Sequence, residues 1–144
     1  MQQKQVRLAV IALLVAVTLC GAGYLWGASG RWAAEERLGA VERRAALTEA
    51  RRLALAGQVA LARLNFGEAS GLFDSARVAA DTAAAQLETA GQLDLAGRVR
   101  TGAQELGEAR KLAGSLDPGA NARASAAVAT LDAVAADISS APRQ

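Results

Sequence analysis

"LNFGEASGLFDSA", residues 64–76, holds both phenylalanines of the chain. Asn65 followed by Glu68 is close to a capping box, in which each side chain satisfies an orphan amide of a first helical turn. From there Ala69, Phe73, Ala76, Ala80, Ala83, Leu87 and Ala90 recur at alternating steps of four and three. That spacing predicts a helix with a continuous seam. Most of the seam is Ala, so helices approach closely around Phe73 and Leu87 as bulky anchors. Gly91 ends the helix, because glycine takes the left-handed conformation without a Cβ clash. The stretch therefore reads as a helical corner, and its glycines as packing and turn residues.

Working outward, a preceding helix spans about Trp32 to Leu64. It carries two stripes. Leu38, Val41, Ala45, Thr48, Leu55, Val59 and Ala62 fall on one side, interrupted by Arg52. Leu47, Ala50, Ala54, Gly57, Leu61 and Leu64 form the other. Two stripes predict contact with more than one neighbour. A third helix, about Leu93 to Leu116, has Leu95, Val99, Gly102, Leu106, Ala109, Ala113 and Leu116 as its seam. Asp117 and Pro118 open a fourth, with Pro118 in its first turn. Its seam is Ala120, Ala124, Ala127, Leu131, Val134 and Ile138. No segment alternates as a strand would.

Gly57, the pair Asn65-Phe66, and then Ala69, Phe73 and Ala76 stand at the spacing of a tetratricopeptide repeat, which this hairpin resembles. That family sets a small residue before the turn and a small–aromatic–small pattern after it. The likeness covers about residues 50–83. Leu53 and Ala60 replace large aromatics there, Leu64 stands where the turn usually has Gly, and Asp81 where Pro is common. Gly91 and Ala103 recur one family period of about 34 residues later, without aromatics. The resemblance implies a helical hairpin that docks other proteins. A plain alanine-rich bundle or coiled coil accounts for the same periodicity.

Residues 8–30, LAVIALLVAVTLCGAGYLWGASG, carry no charge. A helix of that length is about 35 Å long, enough to cross a bilayer core of about 30 Å. Lys4 and Arg7 precede it, and Tyr24, Trp26 and Trp32 mark its far end as interfacial aromatics would. This predicts a single transmembrane helix. A cleaved signal peptide, with Ala28–Gly30 as the small-residue site, is the alternative. A lipoprotein signal ending at Cys20 fits less well, since Leu19 is not small. Lys4 and Arg7 favour a cytoplasmic amino terminus in the cell membrane and a domain on the outer or periplasmic side. Arg31, Arg37, Arg43 and Arg44 oppose that orientation. Gly23 and Gly27 form a G-x-x-x-G that permits packing of membrane helices.

The fold class expected is all-α: an N-terminal transmembrane helix and an alanine-rich bundle of about four helices, with tetratricopeptide-like or coiled-coil-like hairpins. Residues 1–7 are a short cytoplasmic tail, 8–30 the membrane helix, and 31–66 a basic stalk with the first bundle helix. Residues 67–138 supply the remaining helices, and 139–144 a flexible tail. Residues 31–66 carry seven Arg against four Glu, whereas 67–144 carry ten acidic against seven basic residues.

The chain has no histidine and one cysteine, Cys20. The commonest general base and metal ligand are therefore missing, and no intramolecular disulfide can form. Ser70, Ser75 and Thr82 have no His partner, and no glycine-rich phosphate loop occurs. The carboxylate pairs Glu35–Glu36 and Glu105/Glu108 lie among Arg or Lys and read as exposed ion-pair networks. No catalytic, cofactor or metal site, small-molecule substrate or nucleic-acid partner is expected.

"RRAALTEARR", residues 43–52, is the densest charge cluster. Arg43, Arg44, Arg51 and Arg52, with Phe66, Leu72 and Phe73, are the candidate partner-binding residues. The cluster suits anionic lipid or an acidic protein surface, or is a solvated face balanced by Glu42 and Glu49. The expected function is a single-pass, membrane-anchored adaptor or accessory subunit that binds membrane or membrane-proximal proteins at the bilayer. The alternative is a self-assembling structural protein in which alanine seams and Gly23/Gly27 join copies into a helical oligomer.

Overall fold

The structure is a computed structural model that describes residues 34–140. The expected transmembrane helix, with Gly23, Gly27 and Cys20, lies outside the described residues, as do the tail 1–7 and residues 141–144. Among the described residues no helix is long and apolar enough to cross a membrane. The chain divides into two units, Met1–Gly39 and Ala40–Gln144. The larger unit is a bundle of four helices. Helix α1 covers residues 34–62, of which 40–62 belong to this unit; α2 is Phe66–Thr89, α3 Leu93–Gly114 and α4 Ala120–Ser140.

Short corners make sequential helices antiparallel neighbours, and side chains fix their register. Between α2 and α3, Arg110 lies 3.4 Å from Asp74, and Arg100 pairs with Glu88 near the opposite end. Arg98–Asp137 at 2.5 Å and Arg123–Glu105 at 3.1 Å do the same for α3 and α4. The bundle closes through α1 and α4. Gln58 Nε2 donates to Ser125 Oγ at 2.8 Å, and Arg51 Nε sits 2.7 Å from Asp132 Oδ1.

The core is mostly alanine. α2 buries Ala69, Phe73, Ala76, Ala80, Ala83, Ala84 and Leu87, and α3 buries Ala96, Val99, Gly102, Ala103, Leu106, Ala109 and Ala113. α4 contributes Ala120, Ala124, Ala127, Leu131 and Val134. These are the expected seams, joined by Ala84, Ala96 and Ala103, except that Leu95 and Ile138 are half-buried and Ala90 is exposed. Side chains this small bring the helix backbones close, and dispersion over many short contacts replaces a few large ones. Phe73 is the largest fully buried side chain. Its room comes from Gly57, where a methyl group would lie 2.5 Å from Phe73 Cε1.

Of the two α1 stripes, the one with Leu47, Ala50, Ala54, Gly57 and Leu61 faces the core. The other, with Val41, Leu55 and Val59, is exposed at 63, 41 and 50 %. Leu64 and Leu116, each read as the end of a seam, are instead exposed at 76 and 67 %. Both have left the helix.

All three corners use one device. The residues at Leu64, Gly91 and Leu116 take φ of 60, 73 and 61°. The following amides return to the helix: Asn65 to Ala60 O and Gln92 to Leu87 O at 2.9 Å, Asp117 to Leu112 O at 2.8 Å. With Leu64 N–H to Leu61 O, Gly91 to Glu88 O and Leu116 to Ala113 O, these are three Schellman caps.

The cap of α2 differs in one detail from the expected box. Asn65 Oδ1 accepts from the Glu68 amide at 3.3 Å. Glu68 accepts from the Asn65 side-chain amide at 2.7 Å rather than from its backbone N–H. That N–H is already taken by Ala60. At the last corner Asp117 Oδ1 accepts from Gly119 N–H at 2.7 Å. The turn through Pro118 precedes the helix, which begins at Ala120 and runs through Ser140.

Candidate interaction surfaces

The arginines of residues 43–52 do not form one patch. Arg51 reaches across to Asp132 on α4 at 2.7 Å, an ion pair without hydrogen-bond alignment. Arg52 holds Glu49 with two contacts, Nε at 2.8 Å and an Nη at 2.6 Å. That pairing lowers the Glu49 pKa, chiefly through the hydrogen bonds from Arg52, and raises the Arg52 pKa for the same reason. Arg44 is exposed and borders a cavity of about 150 Å³ against Leu47 and Ile138. Arg43 is half-buried. Among the described residues no carboxylate pairs with Arg43 or Arg44.

The aromatic candidates separate by burial. Phe73 has no exposed surface, so a partner cannot touch it, and it acts by holding α1 and α2 together. Leu72 is half-buried against the core. Phe66 is also half-buried and lines a cavity of about 310 Å³ with Leu61, Ala62, Leu64 and Pro118. Gln58 and Asn121 supply polar groups at its edge.

This end of the bundle was not singled out by sequence pattern beyond Phe66. Leu64 and Leu116 cap α1 and α3, which run in the same direction, so both project from this end. A left-handed backbone at a residue with a Cβ costs about 1–2 kcal/mol. Here it is borne twice by exposed leucines, where glycine would relieve it. The signal in the sequence is Leu64 directly before the Asn65 cap, where one helix must end for the next to begin.

A second concavity, about 330 Å³, runs between α2 and α3 past Arg77, Arg100, Glu108 and Lys111. Its cations are already engaged. Arg77 pairs with Asp74 and Asp81, Arg100 with Glu88, and Lys111 with Glu108 at 2.8 Å. Glu108 has a lowered pKa, first through its hydrogen bond from Lys111. Among the described residues no polar or charged side chain is buried, and no group of His, Cys, Asp or Glu has metal-ligand geometry.

A scan against protein-family models finds no match to the chain, and neither the curated proteins nor the solved structures contain a significant match.

Proposed function

We propose that the chain is a membrane-anchored accessory subunit whose helical bundle docks another protein at the bilayer surface. Residues 8–30 are the anchor in this reading, the amino terminus is cytoplasmic, and the bundle stands on the outer or periplasmic side. Restraint at the membrane raises the effective concentration of the bundle for a partner held there. The observation that carries the reading is the end of the bundle at Leu64, Phe66, Leu116 and Pro118. Strain at two exposed leucines marks a position kept for contact rather than for folding, and the adjacent cavity accepts an apolar side chain. Arg43, free of described ion pairs, adds attraction to anionic headgroups or to an acidic partner.

The likeness to a tetratricopeptide hairpin is local in this reading. Gly57 beneath Phe73 supports a small-against-aromatic contact of that kind. α3 packs on α2 and α4 on α1, and together they cover the hairpin, which relieves a lone hairpin of its need for further repeats.

The test is photo-crosslinking of the full chain in its own membrane, with the photoreactive residue at Leu64 or Phe66. Capture of one discrete protein, abolished by Leu116→Asp, is expected. Labelling of lipid alone, or no adduct from either position, overturns the reading.

A further inference from the structure

The outer stripe of α1 follows heptad spacing through the described bundle. Val41, Thr48, Leu55 and Ala62 occupy one seam position, called d in heptad notation, and Ala45, Arg52 and Val59 the other, called a. All of them are exposed. The core-facing residues Leu47, Ala50, Ala54, Gly57 and Leu61 take the opposite positions c and f. The helix thus has two apolar faces, and the bundle uses one. The alanine seams of α2, α3 and α4 lie inside the bundle's own core, so they offer no surface to a second copy.

The flanks of the outer seam state what fits it. Arg44 and Arg51 stand at g, beside α4, while Glu42 and Glu49 stand at e. In sequence, Arg37 repeats the g position one heptad earlier. In a parallel pair of identical helices each g residue faces the e residue of the next heptad on the partner. That sets Arg44 against Glu49, and Arg37 against Glu42, twice each by symmetry. An antiparallel pair sets g against g and e against e, which opposes Arg to Arg and Glu to Glu.

The remaining g residues fit the same scheme. Arg51 would face Ala56 and instead pairs with Asp132, and Gln58 instead donates to Ser125. Arg52, the one charge in the seam, carries its own counter-ion in Glu49. A polar residue at a single a position fixes register and strand number. The Glu49 carboxylate has acceptor sites for both Arg52 and an incoming Arg44.

We propose that the outer face of α1 is a coiled-coil seam that joins two copies of this chain in parallel and in register. The seam meets the end of the bundle at Leu64 and Phe66 only through Ala62, with Gln58 at its flank, both of which also line the cavity there, and its charge pattern fits a second copy without reference to the membrane segment.

The experiment is disulfide mapping of the full chain in a Cys20→Ser background under mild oxidation. Val41→Cys, Leu55→Cys and Ala62→Cys are each expected to cross-link to themselves, while Arg43→Cys on the rear face does not. Arg44→Glu turns two attractive pairs repulsive, each a change of about 0.5–1 kcal/mol, and weakens dimerisation by about tenfold. Mixing Arg44→Glu with Glu49→Arg chains restores complementary pairs and recovers the cross-link. A Val41→Cys chain that links only to an Ala62→Cys chain overturns the proposal in favour of antiparallel pairing. Cross-linking at Val41 but at neither Leu55 nor Ala62 overturns it in favour of tethering upstream. No cross-link from any position, with circular dichroism showing an intact bundle, overturns it outright.

Discussion

At the scale of single residues, two buried glycines in helix interiors have opposite roles. Gly57 lies under the Phe73 ring, whose Cε1 is 2.5 Å from where an added methyl at Gly57 would sit. A methyl group added at Gly102 would come no closer than 3.6 Å to its neighbours Leu131 and Ala127. Gly57→Ala is therefore expected to destabilise by about 1–3 kcal/mol through overpacking. Gly102→Ala is expected to stabilise by up to about 1 kcal/mol through helix propensity. Urea denaturation of the full chain separates them, and equal effects would refute the packing described around Phe73. The left-handed leucines give a second residue-scale expectation. Leu64→Gly and Leu116→Gly should each raise stability by about 1 kcal/mol, because neither side chain is buried. If the leucines are kept for docking, the same substitutions weaken capture of the partner while the bundle gains stability.

At the scale of elements, the seams of α2, α3 and α4 were legible because each helix has a single apolar stripe with regular steps. α1 was not, because it has two. Hydrophobicity does not decide between them, because the stripe with Val41, Leu55 and Val59 is interrupted by Thr48 and Arg52 while the other is diluted by Ala and Gly. The helix buries the stripe with Ala50, Ala54 and Gly57, because the Phe73 ring opposite position 57 leaves no room there for a side chain larger than glycine's. The corner at Asn65 was legible from its cap. Phe73 was legible as an anchor but not as a residue without exposed surface. The left-handed state of Leu116 has no marker in its own residue type.

The ion pairs on these elements set a pH dependence with a definite sign. Glu49 and Glu108 have folded pKa values lowered by hydrogen bonds from Arg52 and Lys111. Their contribution is complete above the unfolded carboxylate value, about 4.3, and is lost as the pH falls through their folded values. The chain has no histidine. Thermal melts followed by circular dichroism should therefore be flat between about pH 6 and 8 and decline below about pH 4.3. A stability transition near neutral pH would contradict this assignment of charges.

At the scale of the whole molecule, one helix divides two tasks. The inner face of α1 closes the bundle against Phe73 of α2, and the flank beside it holds Ser125 and Asp132 of α4. Its outer face keeps a heptad whose charges complement a parallel copy of itself. Double electron–electron resonance on the full chain, with one spin label replacing Ala62, reads that division directly. A parallel seam holds the two backbones about 8–10 Å apart along their length, so the account expects a label separation below about 20 Å. Antiparallel pairing would place Ala62 opposite Val41 and part the two labels by about 30 Å, from a rise of about 1.5 Å per residue. That longer distance, or the absence of any inter-label distance, would contradict it.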